Sequence, residues 1–392
     1  MHLTETFRRF VRSEQFGGVL LVACTIVSLS LANSPVAGAW AAIWHAPLGP
    51  LSLEHWINDA LMAIFFLLIG LELEREIYVG ELSTVRNALL PAFAAVGGMF
   101  APALVHFALN RGGGTEAGFG IPMATDIAFA LGVMALLGTR VPAALKVLVV
   151  AYAVIDDLGA IVLIAVVYTA GISALWLALA LVTWLTLITL NKWLRVMALA
   201  PYLVGGAFLW FCVLKAGVHA SIAGVLLAFA IPFSARAPGG ESPSHRLEDW
   251  LHKPVAFFIL PLFALANTGV PIDQGAIAGL GNANSLGIAL GLIAGKPLGV
   301  LLMCVAAVAS GVCSLPNGVR WTHVVGAGLL GGIGFTMSIF ITNLAFADVA
   351  LVNSSKLAVL IASLVAGAMG YVWLRVVPGP APPQEFMKTV VS

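Results

Sequence analysis

Long apolar runs separated by short polar breaks fill almost the whole chain, and about twelve of them are near 18 to 28 residues long, enough for a helix to cross some 30 Å of hydrocarbon. They lie near 13–33, 56–74, 88–109, 118–138, 143–170, 172–190, 198–214, 216–233, 252–272, 284–310, 322–346 and 355–376. None alternates polar and apolar with period two, which argues against a transmembrane barrel. The pattern predicts an all-α polytopic membrane protein: one domain over 1–377 with about twelve transmembrane helices, and a short, disordered Pro-rich cytoplasmic tail over 378–392.

Composition agrees, with 60% hydrophobic and 9% charged residues, against roughly a quarter charged in globular proteins. Cations fix the orientation through the excess of Lys and Arg on cytoplasmic loops. If the spans simply alternate, fifteen of the nineteen fall on the side of Arg8, Arg9 and Arg12. Arg111, Lys215 and Lys356 fall opposite, and Lys296 lies within a span. Both termini are expected in the cytoplasm, with the first span retained rather than cleaved as a signal peptide. The net charge of +1 gives no reason to expect a nucleic-acid partner, and the four scattered cysteines read as buried thiols.

Two spans carry helix-breaking residues at mid-depth. Gly118, Gly120 and Pro122 precede Asp126 in "GFGIPMATDIAFALG", and Gly328, Gly331, Gly332 and Gly334 crowd "GLLGGIGFTMSIF". Unwound backbone at membrane depth persists where it is buried in protein or lines an aqueous cavity. Corresponding interruptions in two halves point to a transporter built from inverted repeats. Here the repeats would be spans 3–5 and 10–12, with spans 4 and 11 interrupted and "MFAPALV" weakly echoed by "IAGKPLGV".

The ionisable groups deep in spans are Asp126, Asp156, Asp157 and Lys296. A charge at the bilayer centre costs at least a few kcal/mol, so such residues mark ion or proton pathways. Consecutive helical residues point about 100° apart, so Asp156 and Asp157 divide their labour: one faces an ion, the other a partner, and Lys296 is the deep cation available. Three carboxylates against one lysine leave negative charge that a hard cation would balance, with Asp157, Asp126, Thr125 and freed carbonyls as oxygen ligands. In an apolar interior protons compete with the metal ion for carboxylates. If the site opened alternately to each side, that competition would be exchange transport without ATP, and no nucleotide motif is present. No cofactor is expected.

A second cluster lies at cytoplasmic ends: Glu72, Glu74, Arg75 and Glu76 after span two, and Arg246, Glu248, Asp249, His252 and Lys253 before span nine. Coupled carboxylates and a histidine titrate collectively between pH 5 and 8 and would make a pH sensor. His219 sits near the outer end of its span, while His106 and Asp59 read as structural.

"NDALMAIFFLLIGLELERE", "GIPMATDIAFALGVMALLG", "VIDDLGAIVLIA", "KAGVHASIAGV", "LPLFALANTGV", "GKPLGV" and "GGIGFTMSIFI" resemble, in order, the NhaA-type bacterial Na+/H+ antiporters over nearly the whole chain. The resemblance implies twelve helices, an inverted repeat with crossed, unwound fourth and eleventh helices, and electrogenic, pH-regulated exchange of internal Na+ or Li+ for more external protons across a bacterial inner membrane. It places Asp156 and Asp157 at the two essential carboxylates, Asp126 and Thr125 at the unwound fourth helix, and Lys296 opposite Asp156. It further implies pH sensing by Glu72, Glu76, Glu248 and His252, and a pH-linked role for His219. Asp249 departs from the histidine that the best-known members carry there. The family's dimer-forming β-hairpin would fall in "HAPLGPLSLEH" and suggests a homodimer. Two alternatives stay open: an intramembrane aspartyl hydrolase, which lacks its usual Gly-x-Gly-Asp surround, and an ion-coupled solute symporter on a similar frame.

Overall fold

Backbone polar groups inside a bilayer must be satisfied within the segment, which makes helices of the apolar runs. The structure, a computed structural model, describes residues 5–169, 171–233 and 242–379, with 5–15 through the backbone alone. Most of the tail and the stretch 234–241 lie outside the described residues. The helices are α1 (Glu5–Ala32), α2 (Leu53–Tyr78), α3 (Val85–Asn110), α4 (Ile127–Leu136), α5 (Ala143–Val167), α6 (Ala174–Lys192), α7 (Leu199–Lys215) and α8 (Ile222–Ala228). They continue with α9 (Pro243–Asn267), α10 (Ala283–Ala309), α11 (Trp321–Gly331), α12 (Phe335–Ala345) and α13 (Val349–Val376).

Seven of these are long and apolar enough to cross a membrane, or up to nine if two bent pairs, Phe16–Ala32 with the short helix Ala37–His45 and α11 with α12, each count as one span. That is fewer than the apolar runs, for local reasons. In the fourth run only the ten residues of α4 are α-helical, because a 3-10 turn ends at Gly120 and Ile121 to Asp126 are not helical. In the eighth, a turn at Gly217 (φ +80°) precedes a seven-residue helix. The eleventh run is α11 and α12, bent by 46° at Gly332 to Gly334.

Small residues set how closely the helices approach. A Cβ on Gly97 of α3 would fall on the Gly299 carbonyl of α10, and one on Gly299 would fall on the Gly97 carbonyl. Gly224 of α8 lies equally close to Ala63 of α2. Of the seven long helices the most enclosed are α2 and α5, each 67% buried over its apolar window, whereas α6 is only 11% buried and lies at the periphery. The buried faces of α2 and α5 are thereby enclosed by the other helices. Before α2, β1 (Pro47–Leu48) pairs antiparallel with β2 (Leu51–Ser52) around Gly49, whose φ of +70° suits a residue without Cβ.

Candidate ion-binding site

The two interruptions satisfy one another. Backbone released by Pro122 and the glycines has lost its helical partners. The Asp126 N–H donates to Ile333 O at 2.7 Å, the Thr125 hydroxyl to Gly331 O at 3.0 Å, and the Ser338 hydroxyl to Ile121 O at 2.6 Å. From outside both segments, Lys296 Nζ donates to Met123 O.

Asp126 ends the unwound stretch and caps α4: Oδ1 accepts from Phe129 N at 3.2 Å, satisfying one of the free donors of the first turn. Its other oxygen serves α12. Oδ2 accepts from the Thr336 hydroxyl at 2.6 Å and the Thr336 N–H at 3.2 Å. Gly334, the residue at the N-cap position of α12, has no side chain to do this itself. One carboxylate therefore stands at two helix N-termini, where negative charge is favoured.

On α5, Asp156 and Asp157 are 0% and 2% exposed, and Lys296 of α10 is 0% exposed. Lys296 Nζ lies 2.7 Å from Asp156 Oδ2, and Thr125 Oγ1 lies 2.9 Å from the same oxygen, its single hydrogen shared between Asp156 and Gly331 O. Removing either member of such a pair leaves an uncompensated buried charge, at a cost of about 3–5 kcal/mol. Asp157, one residue on, points elsewhere, and its Oδ1 has no hydrogen-bond partner. Asp157, Asp126, Thr125 and Thr336 line one narrow cavity of about 50 Å³, while Asp156 sits behind its wall.

The same cavity reaches Glu72 of α2 and His252 of α9. Glu72 Oε1 lies 3.5 Å from His252 Nδ1, and Arg75 binds Glu248 at 2.8 Å and Glu76 at 3.3 Å. Glu74 accepts from the Ser244 hydroxyl at 2.9 Å. Glu76 accepts from the N–H of Glu81, whose own carboxyl is pushed up by burial and by Glu76. Glu72, Glu76, Glu248 and His252 thus lie in two ion-paired groups across α2 and α9 that feel one another's charge, with Asp249 exposed and making no ion pair with them, though His252 feels its charge.

His219 stands apart, with Nε2 2.8 Å from Tyr168 O beyond the end of α5. His106 is buried against Asn284 at 3.0 Å. Asp59 contributes its carbonyl to Trp210 at 3.3 Å. Sequence reasoning missed Thr336 and Ser338, and also Tyr152, whose hydroxyl donates to Ala327 O at 3.0 Å. Thr336 lies two residues beyond the glycine cluster at 328–334, but nothing in its spacing shows a partner in another span.

A family model described as Na+/H+ antiporter 1 matches residues 8–374. Among curated relatives, the Na(+)/H(+) antiporter NhaA of Dechloromonas aromatica is 62% identical over 373 residues, covering 95% of this chain and 96% of that protein. The protein of the same name from Cytophaga hutchinsonii is 52% identical over 375 residues, 96% of each chain. That from Vibrio campbellii is 48% identical over 376 residues, 95% of this chain and 96% of its own.

Proposed function

The chain belongs to the Na+/H+ antiporter 1 family, and on that footing we propose that it exchanges cytoplasmic Na+ or Li+ for a larger number of external protons. Its relatives are named as transporters, so it is a transporter rather than an enzyme, and the hydrolase and symporter readings fall away. Asp157 and Asp126 are the ion-binding carboxylates, with Thr125 beside them and Asp156 held in reserve by Lys296. What supports this most is the shared cavity. It brings together two carboxylates from separate elements, and Asp157 Oδ1 has no protein donor to satisfy it. At about 50 Å³ the cavity has room for a cation with one water, a water's share of the liquid being about 30 Å³.

In the proposed cycle a cytoplasmic Na+ enters past Glu72 and His252 and is bound by ionised Asp157 and Asp126. Rocking of one helix bundle then exposes the site outside, where protons displace the ion and carry the return step. More protons enter than cations leave, so positive charge moves inward. Each net charge gains about 2.3 kcal/mol per 100 mV of inside-negative potential. Glu72, Glu76, Glu248 and His252 set the pH of activation as one coupled titration, and His219 ties α5 to the turn before α8 in the same response.

The architecture proposed with it has twelve spans and inverted repeats over spans 3–5 and 10–12. Its supports are the paired interruptions and the close crossing of α3 with α10, the first helix of each triplet. The cation distribution places both termini in the cytoplasm of a bacterial cell whose inner membrane holds the protein. The ribbon of β1 and β2, with Leu48 exposed, is the surface for a homodimer. Inverted membrane vesicles test the site: Asp157→Asn is expected to abolish Na+-dependent dissipation of a pH gradient. Normal dissipation by that variant would end this assignment.

A further inference from the structure

Threonines in these helices have a habit that Thr336 breaks. Thr183, Thr186, Thr268 and Thr342 each donate their hydroxyl hydrogen to the carbonyl four residues back, at 2.8 Å, the usual local bond of such residues in membrane helices. Thr336 stands in the first turn of α12 and sends its hydrogen 210 residues away in sequence, to Asp126 Oδ2. A hydroxyl has one hydrogen and two lone pairs. With the hydrogen committed at 2.6 Å, only lone pairs remain to face the cavity that Thr336 lines. Among the described residues no side chain or backbone donor reaches that oxygen.

We propose that Thr336 is a ligand of the transported cation contributed by the eleventh span, its hydroxyl held as an electron-pair donor by the carboxylate of Asp126. The assignment rests on the reading of Asp126 and Asp157 as the ion site and adds a neutral oxygen to it. Neutral oxygen suits a hard monovalent cation, since it fills the coordination shell without deepening the negative charge of two carboxylates. Because Asp126 belongs to the fourth span and Thr336 to α12, a bound cation touches both interrupted spans at once. Departure of the ion then releases a contact between the elements that the bonds from the Asp126 N–H to Ile333 O and from the Thr125 hydroxyl to Gly331 O hold together. Ion occupancy is thereby felt where the eleventh span bends.

Thr336→Val keeps the shape and removes the oxygen, and Thr336→Ser keeps the oxygen. Exchange is measured in proteoliposomes at fixed pH over a series of Na+ and Li+ concentrations, with Na+-induced thermal stabilisation of the purified protein as a binding readout that needs no turnover. Loss of a ligand that binds in ground and transition states alike raises KM and spares the maximal rate, so Thr336→Val is expected to raise the half-saturating Na+ about tenfold, with the stabilisation curve moving equally and Thr336→Ser restoring both to within about twofold. Should Thr336→Val fail to accumulate, Thr336→Ala removes the same oxygen without bulk and is read the same way. A native half-saturating concentration in the variant lacking the hydroxyl, or a Thr336→Ser defect as large as that of Thr336→Val, overturns the proposal. Asp157→Asn run in parallel separates the two claims: activity there refutes the site itself, whereas an inactive Asp157→Asn beside a Thr336→Val of native affinity refutes only the role of Thr336.

Discussion

Asp156 and Asp157 share a helix turn, yet their surroundings assign them opposite work. Each has a buried oxygen without a partner, but Asp156 has Lys296 at 2.7 Å and the Thr125 hydroxyl on its other oxygen, whereas Asp157 has no ion pair and lines the cavity. A deep carboxylate with nothing to neutralise it must bind something or accept a proton. The charges at the ends of α2 and α9 behave differently, because they already have one another. Arg75 bridges Glu248 and Glu76 while His252 approaches Glu72. Glu248→Gln removes a negative charge that favours protons on its neighbours and leaves the Arg75 cation less balanced. The remaining groups then give up protons more readily, and the pH of half-maximal exchange is expected to fall by about half a unit or more. Rates of the variant across pH 6 to 9 check this, and an unchanged or alkaline-shifted profile speaks against a sensor at this cluster.

Packing between α3 and α10 fixes the floor beneath those carboxylates. Gly98 lies next to Lys296 and Asp156, and one residue earlier Gly97 meets Gly299 backbone to backbone. Gly299→Val puts branched bulk where only a carbonyl fits, and overpacking of this kind costs about 1–3 kcal/mol. A lowered melting temperature of the purified protein is expected, and a native melting curve would show that the two helices do not meet this closely. Those glycines could be picked out in the sequence, but their partners could not. Deep carboxylates and Lys296 were legible because charge is rare and costly at such depth. Thr336 was not, since a hydroxyl in a membrane helix ordinarily bonds its own backbone, as Thr342 does. Hydropathy likewise overran the helices of the fourth and eighth runs: apolar composition persists through Ile121 to Ala124 and around Gly217, although the backbone there is not helical.

Across the molecule, the 50 Å³ cavity joins the charged groups on α2 and α9 to the carboxylates at the crossing of the two interrupted spans. The proposed ion site and the proposed pH sensor thus share one cavity, and in the proposed orientation a proton from the cytoplasm would meet Glu72 and His252 before Asp157. If Na+ and protons compete for Asp157 and Asp126, the two cannot be varied independently. The most direct test is the half-saturating Na+ concentration in proteoliposomes at a clamped potential, followed as pH is lowered. Competition predicts that it rises, towards about tenfold per pH unit for each competing proton, while the rate at saturating Na+ holds. A half-saturating concentration that stays fixed while the maximal rate falls would mean that protons act elsewhere, and the account of a shared site would be wrong.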